Sequence, residues 1–329
     1  MLTSLVLPSI VLLIGLVLLV WSSDIFIEGA ASTAVHLNVS PLIIGVVVLG
    51  FGTSAPEMLV AILASVDNSP GLAIGNVVGS NIANIGLVLG VTAIISPILI
   101  KSSLLKREFP ILIVISIVGA LLMLDNDLDM LDGTILVVLL IIVMGWMIYA
   151  NKTMPTSDPL AEETFQELED LPKLSKTKAW VFLFIGLTIL MGSAKMMVWG
   201  AVEVAMYFQV PEMIIGLTII AVGTSLPELA AAISAAKKGE ADLMIGNILG
   251  SNLFNLLAVM SMPALLAPSI IEKNTLLLDY PIMLALTVAM LVVALPFRGK
   301  AIITRFEGFL LLSTFVGYMI FLYFRAASG

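Results

Sequence analysis

The sequence predicts an all-α, polytopic membrane protein: ten transmembrane helices arranged as two inverted-topology five-helix repeats. Three observations predict it: the scarcity of charge, the number of long apolar runs, and a pair of motifs that recurs 171 residues later. Of 329 residues, 60% are hydrophobic and 12% charged, and the mean hydropathy is +1.14. A soluble domain needs roughly a quarter of its residues charged, so lipid must cover much of this chain. The net charge of −8 sits in short clusters and identifies no partner. No basic patch exists to neutralise phosphates, which argues against nucleic acid. Cys is absent, removing disulfides, thiolate metal sites and cysteine nucleophiles together.

Taken in order, the apolar runs lie at 5–23, 41–66, 71–99, 109–124, 133–150, 179–207, 212–236, 241–266, 279–296 and 306–324. About 20 apolar residues cross a bilayer as helix; the fourth, fifth and ninth runs are the shortest. Met1 to Val20 has no basic residue ahead of its apolar run, so it reads as a retained first span, not a secretory signal. The polar stretch 151–178 separates a first repeat (1–150) from a second (179–329) and leaves no room for a soluble domain. Placing both termini outside puts Lys101, Lys106, Arg107, Lys152, Lys173, Lys176, Lys178, Lys237, Lys238, Arg298, Lys300 and Arg305 in cytoplasmic connections. Only Lys273 and Arg325 are then outside. That bias follows the positive-inside rule and places the chain in the cell (inner or plasma) membrane with a cytoplasmic linker. Trp180 and Trp199 mark opposite interfaces of the sixth span.

The repeat is gapless. Gly50-Phe-Gly-Thr-Ser-Ala-Pro-Glu57 aligns with Ala221-Val-Gly-Thr-Ser-Leu-Pro-Glu228, and 74–84 (IGNVVGSNIAN) with 245–255 (IGNILGSNLFN). The same shift pairs Gly15 with Gly186 and Gly29 with Gly200. Five spans, an odd number, separate the copies, so they enter the membrane from opposite sides. Secondary transporters use this arrangement, with sites at the midplane where the repeats meet.

Pro56 has no N–H and clashes with the preceding turn, so it breaks the second span beside Gly50 and Gly52. Such a break survives in a membrane only inside protein or along a wet cavity. Freed carbonyls, the hydroxyls of Thr53 and Ser54 and the Glu57 carboxylate then form an oxygen-rich nest. Thr224, Ser225, Pro227 and Glu228 repeat it. A mid-membrane carboxylate costs about 3 kcal/mol to insert and marks an ion pathway. Two at equivalent points of inverted repeats should meet, and their combined charge of −2 matches one Ca2+ or two Na+. An empty, doubly ionised cage would resist crossing, which is the coupling an antiporter needs. Asn76, Ser80, Asn81 and Asn84, with Asn247, Ser251, Asn252 and Asn255, add amide and hydroxyl oxygens toward the six to eight that suit Ca2+. Gly75 and Gly79 would admit a neighbouring helix. Soft metals are disfavoured without Cys or a His cluster.

The doubled Gly-x-Gly-Thr-Ser-x-Pro-Glu and Gly-Asn-x-x-Gly-Ser-Asn-x-x-Asn signature resembles the sodium/calcium exchanger family, in its bacterial and archaeal branch of the calcium/cation antiporter superfamily. The resemblance spans essentially the whole chain. It implies four central ion sites and alternating access by sliding of the first and sixth helices. Carried over by motif position, the ligands are Thr53, Ser54, Glu57, Ser80 and Asn84 with Thr224, Ser225, Glu228, Ser251 and Asn255, joined by the carbonyls of Gly50 and Ala221. One position departs: exchangers resembling this chain place Asp where Asn255 stands. An amide holds neither proton nor charge, which leaves sodium stoichiometry, proton coupling and electrogenicity open.

Plainer readings apply elsewhere. Met130 and Leu136 occupy places where a calcium-binding loop starting at Asp125 needs Gly and Glu, so 125–132 reads as a solvated outer turn. Glu162 to Asp170 reads as a solvated linker, Lys195 as snorkelling or paired, and His36 as incidental. The resulting expectation is a Ca2+/Na+ antiporter with Ca2+ and Na+ (or H+) as bound substrates, no cofactor, no catalytic residues and no obligate protein partner. A Ca2+/H+ or K+-dependent exchanger is the main alternative and a cation channel the more distant one. An intramembrane enzyme lacks a visible nucleophile–base pair.

Overall fold

A computed structural model of the chain describes residues 2–37, 39, 41–66, 70–100, 107–152, 174–208, 221–271, 274–295 and 301–328. Lys101, Lys106, Lys173, Lys273, Arg298, Lys300, the acidic stretch 162–170 and the start of the predicted seventh span (212–220) lie outside the described residues. The helices are α1 (Leu2–Leu37), α2 (Ile44–Thr53), α3 (Ala55–Val66), α4 (Pro70–Ile95), α5 (Glu108–Leu122), α6 (Met130–Lys152) and α7 (Lys176–Tyr207). After them come α8 (Ala221–Thr224), α9 (Leu226–Lys237), α10 (Ala241–Leu266), α11 (Thr275–Ala294) and α12 (Arg305–Ser328).

Among the described residues, seven helices (α1, α4, α6, α7, α10, α11 and α12) are long and apolar enough to cross a bilayer. The α2–α3 pair, bent by 44° at Ser54, makes an eighth if taken as one span. Helix α5 is apolar but shorter. Ten spans are therefore not reached by this count alone. The largest boundary difference is in α1, expected to end near residue 23 and instead helical to Leu37. Its polar run is accommodated locally. Ser22 and Ser23 donate to the carbonyls of Leu19 (3.2 Å) and Val20 (2.8 Å) of their own helix, and Asp24 accepts from Ser234 of α9 at 2.6 Å.

Helices α1 and α7 lie against each other, antiparallel. A Cβ at Gly186 would meet the Phe26 backbone N at 2.7 Å, one at Gly200 the Pro8 carbonyl at 2.7 Å, and one at Gly15 the Met197 N at 3.1 Å. Small residues let helices approach this closely where lipid provides no hydrophobic drive between them. The contacts obey the 171-residue shift: Gly15 meets Met197 as Gly186 meets Phe26.

Helix α2 runs alongside α10 in the same direction, Gly45 against Gly246 and Gly50 against Gly250. Three residues join α3 to α4, and three join α9 to α10, forcing a reversal at each. Two short antiparallel ladders tie the ends. Strand β1 (Ile98–Leu99) pairs with β4 (Ile302–Ile303), and β2 (Asp127–Leu128) with β3 (Ser269–Ile270). β1 follows α4 and β3 follows α10, 171 residues apart. Because α4 and α10 run oppositely, the two ladders sit at opposite ends of the bundle.

Candidate ion-binding site

The site is built on two broken helices. At the end of α2, Ser54 leaves the helix (φ −81°, ψ 3°), and α3 resumes with Pro56 in its first turn. At the end of α8, Ser225 does the same (φ −88°, ψ 6°), with Pro227 opening α9. Proline supplies no N–H to the previous turn, so each helix restarts there. Glu57 and Glu228 fall in the first turns of α3 and α9, where the helix dipole favours a carboxylate. Both are buried, at 1% exposure.

Facing them are α4 and α10. Each loosens into i→i+5 hydrogen bonding at the second motif's last Asn, over Asn84–Leu89 and Asn255–Val259. Such widened turns recur at functional sites because they re-aim side chains and carbonyls. The segment 84–89 packs on α9, and 255–259 on α3 and α4. Each half thus delivers its Asn to the other half's broken helix.

The contacts cross between halves in the same way. Glu57 is faced by the hydroxyls of Ser80 and Thr224, and Glu228 by those of Ser251 and Thr53. The carboxylates themselves lie close enough to repel. Thr53 Oγ1 lies 3.0 Å from the Leu49 carbonyl, 3.1 Å from Asn247 Oδ1 and 3.2 Å from Ser251 Oγ, with one hydroxyl proton to share among them. Asn76 donates to the Glu57 carbonyl (3.3 Å) and Asn247 to the Glu228 carbonyl (3.5 Å). These two amides, read from sequence as part of an oxygen shell, brace the breaks.

Among the described residues, several buried oxygens have no hydrogen-bond partner: Ser54 Oγ, Glu57 Oε2, Asn84 Oδ1, Ser225 Oγ, both Glu228 oxygens and Asn255 Oδ1. A buried acceptor left unsatisfied costs about 1–3 kcal/mol, more if charged. Oxygens of this kind are the ligands that a desolvated hard cation takes, so the donor set fits a transported ion. Among the described residues no third acid joins the pair in a metal-binding cluster, and no Lys or Arg pairs with either Glu.

The structure therefore brings together Thr53, Ser54, Glu57, Ser80, Ser225, Glu228, Ser251 and Asn255 as buried residues, with Asn84 buried and Thr224 partly so. The Gly50 carbonyl is not freed: it accepts the Ser54 N–H at 3.2 Å, leaving one lone pair. Ala221 opens α8, and Ser225 N–H turns instead to Val222 (3.1 Å). Outside the site, the solvated-turn reading of 125–132 holds: Asp125, Asp127, Asp129 and Asp132 accept from backbone N–H groups of their own turn. His36 does have a role the sequence hid. Its Nε2 lies 2.7 Å from the Leu174 carbonyl, tying the end of the linker to α1. Only a long-range contact could have shown it.

Comparison with known proteins adds an independent line. The profile described as "Sodium/calcium exchanger protein" matches residues 7–149 and again 178–324. "Putative antiporter CaxA" of Alkalimonas amylolytica is 42% identical over 315 residues, covering 96% of this chain and 98% of that protein. "Sodium/calcium exchanger MaX1" of Methanosarcina acetivorans is 29% identical, covering 96% and 98%. Among solved structures, the sodium-calcium exchanger NCX_Mj superposes with a TM-score of 0.82 at 30% identity, covering 97% of this chain and 99% of that one.

Proposed function

Because this transmembrane chain belongs to the sodium/calcium exchanger protein family, we propose that it exchanges Ca2+ for Na+ by alternating access at the site between α2–α4 and α8–α10. The observation that carries the reading is the pair of buried carboxylates, each facing hydroxyls of both halves and surrounded by oxygens with no partner. The family is one of membrane exchangers, not enzymes. Thr53, Ser54, Glu57, Ser80, Asn84, Thr224, Ser225, Glu228, Ser251 and Asn255 supply the oxygens, with the Gly50 and Ala221 carbonyls in reserve, and the substrates are the only bound ions.

The same proposal takes 1–150 and 179–329 as two inverted five-helix halves. Antiparallel packing of α1 on α7 and the exchanged ladders at opposite ends support it. So does the double match of one family profile. The ten spans are α1, α2–α3, α4, α5, α6, α7, α8–α9, α10, α11 and α12, with both termini outside and 151–178 cytoplasmic.

Calcium uptake into proteoliposomes tests the reading. An outward Na+ gradient should drive 45Ca2+ accumulation; equal gradients of H+ or K+ should drive far less. Accumulation driven only by H+, or only with K+ present, would reassign the counter-ion. Conductance far above carrier turnover would replace the exchanger with a channel.

A further inference from the structure

We infer that Asn81 fixes Asn255 as a neutral oxygen ligand, so the cage carries two negative charges and exchange is electroneutral, one divalent for two monovalent cations. This deepens the exchanger reading and rests on it. The amide orientations are determined, beginning from an acceptor that cannot donate. Asn81 Nδ2 points at the Asn252 backbone carbonyl (3.4 Å) and the Met283 sulfur (3.5 Å). Asn81 Oδ1 must therefore point the other way, where it accepts from Asn255 Nδ2 at 3.1 Å. With its NH2 committed, Asn255 is left with a buried Oδ1 that has no partner.

The charge count follows. Along the helices that line the site, residues 44–66, 70–95, 221–237 and 241–266, the acids are Glu57, Glu228 and Asp242. Asp242 lies nine residues before Ser251 on α10, about 13 Å away along the helix axis. The only base there is Lys237, at the far end of α9. Position 84, the counterpart of 255, is also a neutral amide. The cage therefore holds −2 when ionised, cancelled by one Ca2+ or by two monovalent ions. A loaded cage of either kind crosses without net charge, and membrane potential does no work on the cycle.

The test is 45Ca2+ accumulation in proteoliposomes whose potential is clamped with K+ and valinomycin at several values, under a fixed counter-ion gradient. Accumulation by the wild type should not change with potential. Moving one net charge per cycle would instead change it about 50-fold per 100 mV, and such a response would overturn this inference while leaving the exchanger reading intact. Asn255→Asp, which adds a third carboxylate, should acquire that response. Asn81→Ala should weaken Ca2+ several-fold through KM while staying insensitive to potential. An Asn255→Asp protein as flat as the wild type would break the link to Asn255. Absence of uptake under every monovalent gradient would defeat the exchanger reading itself, and the charge argument with it.

Discussion

The glycines of α10 and those of α4 hold the same places in two copies of one motif, but only those of α10 have the matching neighbour helix among the described residues. A Cβ at Gly246 would meet the Leu42 carbonyl at 2.7 Å, and one at Gly50 the Cα of Gly250 at 2.7 Å. Among the described residues, nothing lies within 4 Å of a Cβ built at Gly75 or Gly79. The most apolar window of α10 is wholly buried, that of α4 only 72% buried. Residues 213–220, which the 171-residue shift sets opposite Gly75 and Gly79 as 42–49 lie opposite Gly246 and Gly250, are outside the described residues. The repeat supplies the same chemistry twice, and whether it supplies the same packing is a matter for experiment.

The largest expected effect tests what the halves share. Glu57→Gln and Glu228→Gln should each abolish Ca2+ exchange, with melting in detergent within a few degrees of the wild type, because an amide keeps the volume and loses the charge. Normal uptake by one of the two variants would show that the halves differ in chemistry.

Next in size is the packing of the two copies. Gly50→Ala forces a methyl group into the Gly250 backbone and should destabilise by about 1–3 kcal/mol, the usual cost of overpacking. Gly79→Ala has no described neighbour within 4 Å of its added methyl; if that face is open it should be neutral or stabilise by up to about 1 kcal/mol through lost unfolded-state freedom. Thermal melts of the purified proteins would read both. Equal losses would mean that the α4 face is packed in solution as tightly as α10.

Much of this was legible in the sequence, for identifiable reasons. The site could be found because its residues are short-range motifs present twice, and burial of Glu57 and Glu228 follows from their place in apolar runs. The bracing by Asn76 and Asn247 could not, since an amide in a motif looks the same whether it binds an ion or a carbonyl. The Gly50 carbonyl entered the ligand set through the family resemblance, but it accepts Ser54 N–H in the last i→i−4 bond of α2. The end of α1 was misplaced because hydropathy stops at the polar run Ser22-Ser23-Asp24, blind to the carbonyls and the Ser234 hydroxyl that partner it while the helix continues. The ladders, two residues per strand, are too short to produce a period-2 pattern.

A smaller effect separates the two braces. Asn247 both lies 3.1 Å from the Thr53 hydroxyl and donates to the Glu228 carbonyl, whereas among the described residues Asn76 donates to the Glu57 carbonyl alone. At about 1 kcal/mol net per hydrogen bond, Asn247→Ala should cost about twice what Asn76→Ala does. Measured by the same melts, equal costs would make the two braces equivalent.

The smallest effect concerns the contacts that hold α1 to α9 at one end. Ser234 donates to Asp24 at 2.6 Å, and Lys238 Nζ lies 3.9 Å from Glu28. The 171-residue shift carries Asp24 to Lys195 and relates Ser234 to Leu63, so the second copy cannot reproduce this hydrogen bond. Ser234 is buried while Asp24 reaches water, so Ser234→Ala loses a charge-assisted bond that solvent partly replaces, about 1 kcal/mol. Lys238 and Glu28 are each about one-third exposed, and Lys238→Ala should change stability by well under 1 kcal/mol. If the contact biases the carrier toward one side, Ser234→Ala should still alter exchange rate measurably more than Lys238→Ala. Equal rates would make it a passive tether.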